Sequence, residues 1–183
     1  MRDKKVISNF QIFTIIFTVI IGTLLHFTYE WSNNNLIVGA VSAVNESTWE
    51  HLKLLFFPML FTTVIGYFYL GKSGPKYLCA KALGSVTAIV FIITFFYTYT
   101  GIIGTNFAIL DILSFFIAIL LGEYVTNKFL FSKILCNKKI AITFWGVLLL
   151  CFIIFTYITP HIGLFKDPIT NQYGISNSSL VLL

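Results

Sequence analysis

Runs of about twenty predominantly apolar residues recur along this chain, at 10–29, 49–70, 83–99, 103–124 and 140–159. Each is long enough to cross the roughly 30 Å hydrocarbon core of a bilayer. Each must then be helical, because lipid offers no partner to an unpaired backbone amide. The links carry Gly, Asn and Lys, as in Gly71-Lys72-Ser73-Gly74-Pro75-Lys76 and Asn137-Lys138-Lys139, and they are short. Consecutive helices are therefore expected as antiparallel neighbours. The fold class read from this pattern is all-α: a polytopic membrane helix bundle of about five spans, forming one transmembrane domain over 1–183.

Composition removes the soluble alternatives. Of 183 residues, 57% are hydrophobic and only 10% charged, whereas soluble domains average about 25% charged. The chain lacks the polar residues to coat a globule of its size. Twenty Phe, 9 Tyr and 3 Trp exclude a disordered tail. Cys79, Cys136 and Cys151 have no C-x-x-C spacing and read as reduced packing residues. The 12 basic residues against 7 acidic ones form no continuous basic face, so no nucleic-acid partner is expected. The first span is too long for a cleaved signal peptide and ends in His26-Phe27-Thr28-Tyr29-Glu30, with no small-x-small cleavage site.

The basic residues also predict an orientation. Arg2, Lys4 and Lys5 precede the first span; Lys72, Lys76 and Lys81 surround the second link; Lys128, Lys133, Lys138 and Lys139 fall in the fourth. Only Lys53 and Lys166 lie on the other side. By the excess of positive charge on cytoplasmic loops, the amino terminus faces the cytoplasm and the 160–183 tail is extracytoplasmic, in a multi-pass protein of the cell membrane.

Ionisable residues inside a span cost about 2.5–3.5 kcal/mol on insertion scales, and most of those present gather at the outer end. His26 and Glu30 close the first span, four residues apart and so on one face. Thr14, Thr18 and Gly22 continue that row as a stripe suited to helix contacts rather than lipid. The second span opens with Asn45-Glu46-Ser47-Thr48-Trp49-Glu50-His51-Leu52-Lys53. Ser47 and Glu50 have the spacing of a capping box. Glu46, Glu50 and Lys53 fall along one helical face, and His51 about 100° away. Pro58 removes an amide and is expected to bend the helix near Leu54, freeing a carbonyl. Asp111 lies about 12 Å below the outer start of the fourth span by helical rise, so it must be protonated or partnered; His26, His51 and Lys53 are the candidates. Glu123, near Lys128, reads as an interfacial charge. Asn45-Glu46-Ser47 and Asn177-Ser178-Ser179 match the glycosylation sequon, a common chance match.

The run Val44-Asn45-Glu46-Ser47-Thr48-Trp49-Glu50-His51-Leu52-Lys53, followed by Leu54-Leu55-Phe56-Phe57-Pro58, resembles the hallmark V-N-E-S-x-W-E-H-x-K of an uncharacterised family of small bacterial multi-pass membrane proteins. His26, Asp111, Leu164-Phe165-Lys166-Asp167-Pro168 and Tyr173-Gly174 also look like that family. The resemblance covers most of the chain and implies no particular activity.

The residues themselves point to an outward-facing polar pocket built from the first, second and fourth spans and roofed by the tail. Its expected lining is His26, Glu46, Glu50, His51, Lys53 and Asp111, with Glu30 and Asn45 in support. Such a pocket would hold an ion, a proton or a small ligand. An alternative is a metal-dependent hydrolase at the outer leaflet. There, ligands from His26, Glu50, His51 and Asp111 would hold a divalent metal such as zinc, with a position left for water. A third reading is a structural or accessory subunit in which the motif is an interhelical polar lock. The expected partners are the lipid bilayer, the small ligand or ion, and a second copy of the chain to complete the walls.

Overall fold

A computed structural model describes residues 4–175. Arg2 and the Asn177-Ser178-Ser179 sequon lie outside the described residues. The helices run α1 (Lys4–Trp31), a short α2 (Leu36–Gly39), α3 (Thr48–Tyr69), α4 (Gly74–Ile103), α5 (Ala108–Leu130) and α6 (Lys138–Tyr157). All but α2 are long and apolar enough to cross a membrane, which makes five. Single 3-10 turns stand at Gly71–Ser73 and Gly163–Phe165, and among the described residues the only β pairing is an isolated bridge between Lys166 and Tyr173.

The helix faces are sorted as lipid demands. On α1, Thr14, Thr18 and Gly22 are buried, while Ile12, Phe13, Ile16, Ile20 and Leu24 are exposed. Small and weakly polar residues let backbones approach, and large apolar ones face outward where hydrocarbon would be. The Thr14–Thr18–Gly22 stripe thus points inward as read. Gly22 meets α3 where Pro58 has left the Leu54 carbonyl without its helical amide. A Cβ on Gly22 would lie 2.5 Å from that oxygen, so only glycine admits the contact. A similar seam joins α4 to α5, where a Cβ on Gly122 would stand 2.9 Å from the Gly84 carbonyl.

α3 is the hub, packed against α1, α4, α6 and the tail. Its Leu52, Leu55, Phe56 and Met59 are fully buried in a core shared with Ala88 and Ile92 of α4, Ala118 and Ile119 of α5, and Trp145 and Phe152 of α6.

Three expectations change here. The third span is longer than 83–99, because Pro75 sits in the first turn of α4, where its missing amide costs nothing. That places Lys81 inside the helix, fully buried, and not at a link. The fourth span starts later than 103, because Gly104 ends α4 in a left-handed conformation, φ 87°, and Ile102 and Ile103 belong to α4. Cys79 and Cys136 are not free packing residues; the link after α5 folds back onto the start of α4 and the two form a disulfide, with Cα atoms 6.0 Å apart. Cys151 is free.

Candidate functional site

At the end of the bundle opposite Lys4, α1 finishes beside the start of α3, and the intervening chain is folded back between them. Ser42 fixes it: its hydroxyl donates to the Leu25 carbonyl and accepts from Tyr29 N at 3.0 Å and from Thr28 Oγ1 at 3.0 Å. Asn45 Oδ1 then accepts from Ser47 N at 2.8 Å, a side-chain-closed turn that delivers Ser47 as the N-cap of α3. Only half of the anticipated capping box forms. Ser47 Oγ accepts from Glu50 N at 3.4 Å, but the Glu50 carboxylate turns away to Val44 N at 3.1 Å, and Asn45 takes its place on Ser47 N.

Because α3 begins at Thr48, Glu46 lies before the helix, and helical spacing does not govern it. It therefore does not share a face with Glu50 and Lys53. Its carboxylate instead meets the two imidazoles: Glu46 Oε2 is 3.5 Å from His51 Nε2 and 3.8 Å from His26 Nε2. The two rings stand edge to face with centroids 5.1 Å apart. One ligand atom from each residue lies within 4.8 Å of the others. The side chains are 33% (His26), 35% (His51) and 41% (Glu46) exposed, so water and ions reach them.

The tautomer of His51 follows from its other nitrogen. Nδ1 stands 3.0 Å from the Ser47 carbonyl, which can only accept, so Nδ1 carries a proton, and in the neutral ring Nε2 is the nitrogen that offers a lone pair. A carbonyl on the far ring nitrogen is the usual outer support of a metal-ligating histidine. In that form Nε2 and the Glu46 carboxylate are two acceptors 3.5 Å apart, an arrangement that either a bound cation or a second ring proton satisfies. In a tetrahedral zinc site with bonds of about 2.0–2.1 Å, neighbouring ligand atoms stand about 3.3–3.4 Å apart. Two of the three edges, 3.5 Å and 3.8 Å, are near that length, and all three ligand atoms lie within 4.8 Å of one another.

Glu50 and Lys53 form a second, closed unit beside this cluster. Lys53 is fully buried and its three donors are all used: Glu50 Oε2 at 2.6 Å, the Gly39 carbonyl at 2.7 Å and Thr156 Oγ1 at 2.9 Å. Glu50 accepts in addition from Val44 N and from Thr156 Oγ1, each at 3.1 Å. The network ties α3 to the end of α2 and to α6, and leaves no lysine donor for a ligand.

Two expected members of the pocket fall elsewhere. Asp111 is in the first turn of α5 rather than two turns down, since that helix starts only at Ala108. Its carboxylate accepts from the Tyr99 hydroxyl and from Asn106 Nδ2 at 3.3 Å, and Tyr99 Oη accepts from Phe107 N at 3.2 Å. It fastens the α4–α5 turn and does not meet His26, His51 or Lys53. Glu30 is exposed, one turn beyond His26, and is not part of the cluster of His26, Glu46 and His51. The ligand set His26, Glu50, His51 and Asp111 is thus replaced in geometry by His26, Glu46 and His51. Asn45 supports Ser47 and also donates to the Gly174 carbonyl at 2.9 Å, which anchors the tail.

The tail itself packs on the other side of α3. Phe165 is buried with ring centroids 4.7 Å from Trp49 and 5.7 Å from Phe155. Trp49 and His51 are about 200° apart around the helix, so these contacts brace α3 and do not roof the histidines.

Glu123 is the residue that sequence reasoning misplaced. It is buried, paired to Lys81 of α4, and its second oxygen has no hydrogen-bond partner. Gln11 of α1 donates to the Glu123 carbonyl at 3.5 Å and accepts from Asn127 at 2.6 Å. The available signal was Glu123 with Asn127, polar at i and i+4 and about two turns inside the end of α5.

Neither a curated protein nor a solved structure shows significant similarity to the chain. The chain belongs to the family of unknown function DUF6512, whose profile matches residues 1–175.

Proposed function

We propose that the chain is a multi-pass protein of the cell membrane that binds a divalent transition metal, zinc by ligand type, at His26, Glu46 and His51. The observation that carries this reading is the convergence of three ligand atoms from α1, the loop and α3 within 4.8 Å, with His51 held through its other nitrogen. Two imidazoles and one carboxylate suit zinc better than calcium or magnesium, which take oxygen ligands. The lysine distribution supports an extracytoplasmic position for this site.

The test is metal analysis of the detergent-purified protein. About one zinc per chain is expected, with affinity lowered about a hundredfold or more by His51→Ala or His26→Ala and little changed by Asp111→Asn. Absence of stoichiometric binding by the wild-type chain at micromolar zinc refutes the reading.

Hydrolysis at the outer leaflet is the second reading, favoured by the ligand count. Three protein ligands leave a fourth position for water, whose pKa zinc lowers to about 7. Lys53 and Glu50 are bound to one another and to Thr156, so any polarisation of a substrate would fall to the metal itself.

A further inference from the structure

A groove of about 510 Å³ runs along the bundle between α1 and α3. Its lining is wholly apolar, and includes Phe17, Ile21 and Leu25 of α1, Val41 of the loop, and Pro58 and Phe61 of α3. Stacked rings of Phe17 and Phe61, centroids 5.4 Å apart, stand at its lower part. We infer that this groove seats one acyl chain of an anionic phospholipid whose phosphate oxygen completes the coordination of the metal at His26, Glu46 and His51. The inference rests on the metal-site reading and names its ligand.

Shared architecture is the first argument. Each of the three segments that line the groove carries one member of the site: Leu25 adjoins His26 on α1, Pro58 lies two turns below His51 on the same face of α3, and Val41 and Glu46 belong to one loop. That loop cannot slide independently, because Ser42 holds it to Leu25 O and Tyr29 N. The upper end of the groove and the cluster therefore keep a fixed relation.

Dimensions and charge supply the rest. From Leu25 down to Phe17 is about 12 Å by helical rise, close to the depth of one leaflet in a hydrocarbon core of about 30 Å. On α3 the lining continues to Val64, about 20 Å below His51 by helical rise, so the groove is long enough for an acyl chain that enters at the outer leaflet and reaches past the midplane. At the top, a divalent ion with one carboxylate ligand retains about one unit of positive charge and an open position. An anionic oxygen fits both, whereas a zwitterionic headgroup brings a compensating cation.

The experiment measures lipid binding by native mass spectrometry of the detergent-solubilised full chain, with zinc or with chelator. Phosphatidylglycerol is expected to bind about tenfold or more tightly with zinc present, and more tightly than phosphatidylcholine under the same conditions. Ile21→Trp and Val41→Trp fill the groove at two heights. Each should lower phosphatidylglycerol affinity about tenfold or more while zinc stoichiometry, which also reports folding, stays at the wild-type value. Zinc bound with no effect on phosphatidylglycerol affinity overturns the inference and leaves the metal site standing. So does binding untouched by both tryptophans, or inorganic phosphate binding the zinc form as tightly as the lipid does. Failure to bind zinc removes the metal site and this inference with it.

Discussion

Lys53→Met tests the buried lock beside the histidines most directly. Methionine keeps the length and apolar stem of lysine but removes its charge and all three donors. In the parent, those donors reach Glu50 Oε2, the Gly39 carbonyl and Thr156 Oγ1 at 2.6–2.9 Å, with the ammonium fully buried and Glu50 3% exposed. Removing one partner of a buried ion pair typically costs about 3–5 kcal/mol, because the other charge is left uncompensated. Glu50 is not wholly orphaned, since Val44 N and the Thr156 hydroxyl still donate to it at 3.1 Å. The expected loss is therefore at the lower part of that range, about 3 kcal/mol. For a chain of this length that lowers the melting temperature by about 6–12 °C, readable by heating in detergent followed by size-exclusion chromatography. The double change Lys53→Met with Glu50→Gln removes both charges and should recover at least about half of the loss. Zinc binding should be nearly unaffected by either variant. A melting temperature for Lys53→Met within about 2 °C of the parent, or a double variant worse than the sum of the singles, would refute the idea that the pair acts as a mutually compensating lock.

Two further outcomes follow from contacts elsewhere in the bundle. Gly22→Ala sets a methyl 2.5 Å from the Leu54 carbonyl and 2.8 Å from the Phe115 ring, and is expected to destabilise by about 1–3 kcal/mol in the same melting assay, since backbone on α3 must yield. Asp111→Asn keeps the shape but weakens the acceptor for Tyr99 and Asn106; a loss of about 1 kcal/mol with unchanged zinc affinity is expected, and a lost metal site would place Asp111 in the cluster after all.

The two charged pairs of this protein differ in how visible they were in the chain. Glu50 and Lys53 sit three residues apart in one helix, so their meeting is a local matter, and the Ser47-x-x-Glu50 spacing announced the helix start. Glu123 and Lys81 are 42 residues apart on different helices. Glu123 near Lys128 looked like a charge at the membrane surface because nothing local reveals which face α5 turns to α4. The close Gly84–Gly122 approach settles that face, and with it the pairing.

Asp111 shows the cost of a boundary error. A start set five residues early moved it by more than one turn, from an apparent burial that demanded a distant partner to a first turn where Tyr99 and Asn106 suffice. The disulfide was hidden for the same reason as the ion pair. Cys79 and Cys136 are brought together by a link folding back, and spacing along a chain carries no record of that.

What the amino-acid order determined by itself was the solvent for which this chain is built. Five apolar runs in a sequence with so few charges admit only membrane-length helices, and short links make successive ones neighbours. It also determined that acidic and imidazole groups collect at one end, because His26 ends one span and Glu46, Glu50 and His51 begin the next. Which of these side chains face one another was decided only by packing. Glu46 precedes its helix and so escapes helical spacing, and a serine hydroxyl on the Leu25 carbonyl sets where it points. Glu50, three residues after the Ser47 cap, is drawn instead into a dry network with Lys53 and Thr156. The two acids differ in fate because one lies outside the regular helix and in reach of water, and the other lies inside it and against a third helix.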